Sequence, residues 1–297
     1  MEFLTYEFMQ RALAAGVMAG VLCSCLSLFV VLQRLSFAGV GISHSALGGI
    51  AIGVLTGINP IVAAALFCTG VAWGIGLVSK KGDVNEDSAI GVFFSGAMAL
   101  GITLISMIKG YYPELFGILF GNILAVTGGD LILLALTAAV ILLFLVFFFK
   151  ELLFICFDEE GARASGLPVT PLYYVLLTAI ALTIVVTVKI LGIVLASALL
   201  VLPAVTAYEL TKNFRPMLAV AVSCGVFSCV AGLWLSYQLN LPSGATIVLC
   251  GALLFFGSLV LSPRHGLLKS FRLRPAQHPV PLRDSEETER LVSSPGA

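Results

Sequence analysis

The sequence predicts an all-α fold, a polytopic membrane helical bundle with about eight or nine transmembrane helices. Three observations predict it. Hydrophobic residues make up 59% of the 297 residues and charged residues only 11%, with a mean hydropathy of +1.08, whereas a soluble domain carries about 25% charged residues. Apolar runs recur at about the 20-residue length that a helix needs to cross roughly 30 Å of hydrocarbon. The basic residues also gather on one side of those runs, as expected of loops facing the cytoplasm.

The elements follow in order. A first crossing is expected at 12–32, after an N-terminal stretch, MEFLTYEFMQRALAAG, that opens with acidic residues and lacks a basic leader, so no removable signal peptide is expected. A short second crossing, 43–57, is joined to a third, 60–79, by the tight Asn59-Pro60 step; a fourth occupies 88–108. The segment 109–130, KGYYPELFGILFGNILAVTGGD, has an apolar core too short to cross and reads as an external interfacial or re-entrant helix. A fifth crossing at 130–149 precedes a polar insert, and the sixth and seventh, 172–188 and 190–208, meet around Lys189, which leaves eight spans as the alternative count. Pro203 predicts a kink in the seventh. Crossings at 216–238 and 244–262 complete a transmembrane domain, residues 1–262, and the polar, proline-bearing tail 263–297 is expected to be disordered. The seven cysteines (Cys23, Cys25, Cys68, Cys156, Cys224, Cys229 and Cys250) form no C-x-x-C pair and read as small apolar side chains.

Basic residues set the orientation. With the N-terminus outside, Arg34, Lys80, Lys81, Lys150, Arg163, Lys212, Arg215, Arg264, Lys269, Arg272, Arg274, Arg283 and Arg290 fall inside, thirteen of the sixteen. Only Arg11, Lys109 and Lys189 fall outside, so an N-out, C-in topology is expected.

Two stretches carry chemistry. In LSFAGVGISHSALGGIAIGVLTGINP, His44 is the one imidazole expected inside the membrane. Ser45, Gly49, Gly53 and Gly57 recur every four residues beside it, a small-xxx-small ridge that lets another helix approach closely. The residues alone leave two readings of His44: a hydrogen bond to a neighbouring carbonyl or serine that locks the bundle, or a transient ligand for a divalent cation. In FDEEGARASGLPVTP, Asp158, Glu159 and Glu160 precede Arg163, and Gly166 and Pro168 stop the run. This predicts one short, capped cytoplasmic helix over 158–167, which the residues alone leave open as a docking knob for a soluble partner or an ordinary solvated loop.

Taken together, VVLQRLSFAGVGISHSALGGIAIG, LFGNILAV, CFDEEGARASGLP, KILGIVLASALLVLPAVTAYEL and NLPSGATIVL resemble, in order and spacing, the membrane permeases of zinc/manganese-type metal-ion ABC importers. The resemblance covers essentially residues 8–262 and implies a type II ABC importer-like bundle. It maps the family's translocation-path histidine onto His44 and its ATPase-docking segment onto Asp158 to Leu167. Many members carry an aspartate one turn before that histidine; here the position is Val40, which leaves Ser43, Ser45 or a group on another span to complete an ion site. The implied function is import of a divalent metal ion (zinc, manganese or iron) across a bacterial inner membrane. The implied partners are ABC ATPase subunits, an extracytoplasmic metal-binding protein, a second copy of the chain and the lipid bilayer. No nucleic-acid partner and no permanently bound cofactor are expected, the metal ion being the substrate.

No G-x-x-x-x-G-K-[ST] phosphate loop occurs, so ATP hydrolysis is expected to belong to another polypeptide, and the chain itself is not expected to be an enzyme. A stand-alone secondary metal-ion transporter is the alternative; it calls for several intramembrane acids, and the clear cases are Asp130 and Glu209, both near membrane borders. An intramembrane serine hydrolase fits poorly, because Ser43 and Ser45 neighbour His44 in sequence and point to different helix faces, and no G-x-S-x-G elbow exists.

Overall fold

The computed structural model describes residues 6–82, 84–107, 121 and 123–262. Most of the 109–130 segment and the tail expected to be disordered, 263–297, lie outside the described residues. Among the described residues the elements are α1 (Glu7–Leu32), α2 (Ser36–Thr56), α3 (Pro60–Lys81), α4 (Glu86–Ser106), a 3-10 turn (Ile123–Ala125), α5 (Gly128–Phe147), α6 (Phe149–Phe157), α7 (Glu159–Ala164), α8 (Val169–Leu191), α9 (Ile193–Leu199), α10 (Leu202–Leu210), α11 (Phe214–Leu239) and α12 (Ser243–Leu261). Nine of the described segments are long and apolar enough to cross a membrane, with α9 and α10 together making the seventh.

The joints are set by local chemistry. After α1, the Arg34 N–H donates to the Val31 carbonyl (3.1 Å) and the Leu35 N–H to the Val30 carbonyl (2.8 Å), a Schellman closure with Arg34 at φ 60° where glycine is usual. Fully buried Leu35 secures the turn, and α2 starts directly afterwards. The second crossing is therefore a full 21-residue helix, not the short span expected from 43. Gly57 ends it in the left-handed region at φ 72°, and the Asn59 side chain accepts from the Ile61 N–H (3.0 Å) with Pro60 opening α3. The start of α5 is a capping box between Thr127 and Asp130.

α8 runs through the centre of the bundle, its Leu176, Leu177, Ile180 and Ile184 fully buried, and α1 beside it buries Ala15, Ala19, Leu22 and Leu26. The peripheral helices turn large apolar groups outward: Val92 and Ile102 on α4, Leu136 and Val140 on α5, and Leu249 and Leu253 on α12. An outward apolar belt is what hydrocarbon solvates, and the polar backbone is satisfied inside each helix.

The seventh crossing is broken, in a different way from a simple proline kink. Gly192 adopts φ 84°, ψ 166°, a region open in practice to glycine alone. α8 stops on one side of it and α9 starts on the other. A second interruption falls at Leu200 and Val201, and Pro203 sits in the first turn of α10, where its missing N–H costs nothing. Gly121, at φ 68°, lies so close to the first break that a Cβ there would meet the Leu191 carbonyl carbon at 2.2 Å.

Two ion pairs mark opposite ends of the bundle. Lys80, at the end of α3, meets Glu159 of α7 at 2.9 Å. Lys189, near the end of α8, pairs with Asp130 in the first turn of α5. Since α8 begins just after α7, the 80–82 turn and the 158–167 segment share one end, and Lys189 lies at the other.

Candidate metal path and docking segment

His44 sits in the middle third of α2, half-buried. Its Nδ1 lies 2.9 Å from the Val40 carbonyl oxygen. A carbonyl only accepts, so Nδ1 carries the proton, and in the neutral ring it is Nε2 that has the lone pair with which imidazole binds a metal. The bond stays within α2 and locks no two helices together. The ring meets Phe94 of α4 edge-on, with centroids 5.1 Å apart and an interplanar angle of 83°. Those two contacts fix the ring orientation without occupying Nε2.

The serines beside it are arranged differently. Ser43 Oγ donates to the Val40 carbonyl (2.9 Å) and Ser45 Oγ to the Gly41 carbonyl (2.7 Å), and both residues are fully buried. Each residue turns a helix by about 100°, so these hydroxyls lie on faces other than that of His44. Ser45 shares its row with Gly49 and Gly53. A Cβ at Gly49 would meet the Ala64 Cα at 2.5 Å, and one at Gly53 the Pro60 Cα at 2.7 Å, so α3 lies against α2 at backbone distance there. Gly57 departs from this row: nothing lies within 4 Å of its Cβ position. It closes the helix and belongs to the turn, not to the packing ridge, because the fourth position of the repeat falls past the end of α2.

On α3, Cys68 Sγ approaches the Ile42 carbonyl at 3.6 Å, two residues from the histidine. Among the described residues no group of three or more His, Cys, Asp or Glu side chains converges. Asp130 and Glu209 are both engaged at helix ends, Asp130 by Lys189 and Thr127 and Glu209 by Ser262 at 2.8 Å. Among the described residues, α2 thus offers one imidazole with no cluster of acidic or thiol side chains around it.

The 158–167 segment is a helix capped at both ends. The Asp158 side chain accepts from the Gly161 N–H (2.8 Å). At the other end Gly166, at φ 82°, donates to the Arg163 carbonyl (3.0 Å), and the Leu167 N–H donates to the Ala162 carbonyl (3.1 Å), a second Schellman closure. Ala162 is the buried plug, while Asp158, Glu160, Arg163 and Gly166 face outward. Glu159 bridges Lys80 and, at 2.8 Å, Arg163. The Lys80 ammonium holds the Glu159 carboxyl below the usual glutamate range; burial pushes the other way, and the Arg163 guanidinium adds to the lowering. A depressed carboxylate stabilises the native arrangement at neutral pH, and that contribution fades as pH falls through its folded value. Phe157, immediately before the cap, is 72% exposed and adds an apolar element to the outward face. Its position at the end of an apolar run and directly before an N-cap was the available signal in the sequence. The Lys80 contact had no such signal, since its partner is 79 positions away.

Fold and site together define a polytopic transport bundle, with a lone histidine on a glycine-packed helix and a short capped helix at one end. The family model described as the ABC 3 transport family matches residues 5–262, and the chain belongs to that family. Among curated proteins, the chain is 39% identical over 267 residues to the manganese transport system membrane protein MntC of Listeria monocytogenes, spanning 90% of this chain and 95% of that one. It is also 39% identical over 265 residues to a protein of Haemophilus influenzae described as a probable iron transport system membrane protein, spanning 88% and 96%. Among solved structures, PsaBC from Streptococcus pneumoniae in complex with Fab superposes with a TM-score of 0.81 at 34% identity, covering 91% of this chain and 97% of that one. The chain is a multi-pass membrane permease of the ABC-transporter type.

Proposed function

We propose that this permease imports a divalent transition metal into a bacterial cell, with manganese or iron placed ahead of zinc because the similar transport proteins are named for the first two. Separate ATPase subunits dock on the 158–167 segment, an extracytoplasmic protein delivers the ion, and two copies of the chain form the membrane part. The N-terminus lies outside and the C-terminus inside, so the end carrying Lys80 and Glu159 is cytoplasmic; the distribution of basic residues supports this.

The observation that carries the reading is the His44 ring, held by Val40 and Phe94 with Nε2 left to bind. One nitrogen ligand offsets part of the cost of dehydrating the ion and stays weak enough to release it inward. Reconstitution of the chain with its ATPase subunits in vesicles tests the function. Manganese or ferrous iron is expected to accumulate only when ATP is hydrolysed. Accumulation driven by a proton gradient without ATP would establish a secondary transporter instead. A cysteine placed at Gly82, on a cysteine-free background, is expected to resist an impermeant thiol reagent added outside intact cells; ready labelling would reverse the topology.

A further inference from the structure

The docking helix has six residues and buries one alanine, far too little to hold its own position against a moving partner. Beyond Ala162 and the chain on either side, it is a charged contact that ties it to α3. Lys80 is the penultimate residue of α3, with its side chain only 22% exposed. Its ammonium lies 2.9 Å from Glu159 Oε1 and 4.1 Å from the centroid of the Tyr173 ring on α8. Glu159 is held from its other side by Arg163, one turn along α7. Three helices therefore meet at one cation: α7 through a charge-assisted bond, α8 through an aromatic face, and α3 covalently. Among the described residues, Lys80–Glu159 is the one ion pair that joins α7 to another element.

The other end of this link reaches the metal path. α3 is a continuous 22-residue helix, about 33 Å long. Along that length it touches α2 at Cys68–Ile42, at Ala64–Gly49 and at Pro60–Gly53, the latter two at distances that leave no room for even a methyl group. A displacement of α3 along its axis cannot be absorbed at such contacts without carrying α2 with it.

We infer that Lys80 is a positioning residue for coupling: it clamps α7 to α3, so that movement of the docked ATPase reaches α2 and His44 through α3. The inference rests on the permease reading above. A lysine there gives a point charge able to satisfy Glu159 and the Tyr173 face together. With a neutral side chain, α7 moves on the end of α6 and α8 without pulling α3.

The test uses the complete complex in vesicles, with ATP hydrolysis and manganese uptake measured on the same preparation. Lys80→Met keeps the aliphatic stem and removes the charge. It is expected to lower the metal moved per ATP at least about threefold, the scale of a half-buried ion pair, with hydrolysis retained and amide exchange over 158–167 accelerated. Lys80→Arg, which keeps the charge, is expected to restore most of the ratio. An unchanged ratio in Lys80→Met would overturn the inference. So would loss of the ATPase from the purified Lys80→Met complex, which would make Lys80 part of the assembly surface. Failure of the permease reading is distinguishable, because the wild-type complex would then show no ATP-dependent uptake at all.

Discussion

α2 and the seventh crossing are made of similar material and are put to opposite uses. α2, SFAGVGISHSALGGIAIGVLT, carries four internal glycines after Gly39 and runs unbroken. Its Gly48, Gly49 and Gly53 keep helical backbone and supply only the absence of a side chain, which lets α3 and α4 approach. The seventh crossing holds one glycine at its head, Gly192, and uses it for a backbone conformation that no L side chain adopts comfortably. It then breaks again before Pro203. A glycine in an apolar run thus has two separate physical uses, and only its dihedrals and neighbours distinguish them. The functional consequence follows: α2 is a stiff mount for His44, and α9–α10 is a jointed segment beside it.

Substitutions separate the two uses, and the largest effect is expected where bulk is excluded. Gly49→Val places atoms where the Ala64 backbone already lies and is expected to cost about 3 kcal/mol or more. The detergent-solubilised protein should lose its main unfolding transition or show it far lower in temperature; a wild-type melting curve would show that the α2–α3 contact yields. Gly192→Ala forces a Cβ onto φ 84° beside Gly121, with an expected cost of about 2 kcal/mol. Its melting shift should exceed that of an alanine at Gly57, where the left-handed turn is one that Arg34 and Asn240 also adopt and the space is open. Gly57→Ala is expected to cost about 1 kcal/mol. If Gly57→Ala proved the most damaging of the three, packing would not be what distinguishes α2.

Much of the bundle was legible because hydrocarbon imposes a simple requirement on length and polarity. Every expected crossing has a counterpart, and the discrepancies cluster at joints. α2 starts at Ser36 because Arg34 takes the left-handed turn position; with no glycine there, nothing in the sequence marked a Schellman closure. Gly57 continued a four-residue repeat on paper, yet the helix ends at Thr56. The 158–167 helix was readable because both its caps, Asp158 and Gly166, are written in local residues. Lys80–Glu159 and Gly121–Gly192 join distant segments, and no local pattern encodes them. For His44 the sequence supplied the residue type, whereas the free nitrogen follows from the Val40 carbonyl, a backbone atom whose place depends on the helix having already started at Ser36.

The central claim, that His44 Nε2 binds the ion in passage, is tested most directly by manganese uptake into vesicles containing His44→Ala together with the ATPase subunits. The predicted result is uptake reduced by at least about tenfold, the scale of losing one ligand and its orienting shell, in a complex that still assembles and hydrolyses ATP. Uptake at the wild-type rate would contradict the claim and make His44 a packing residue against Phe94.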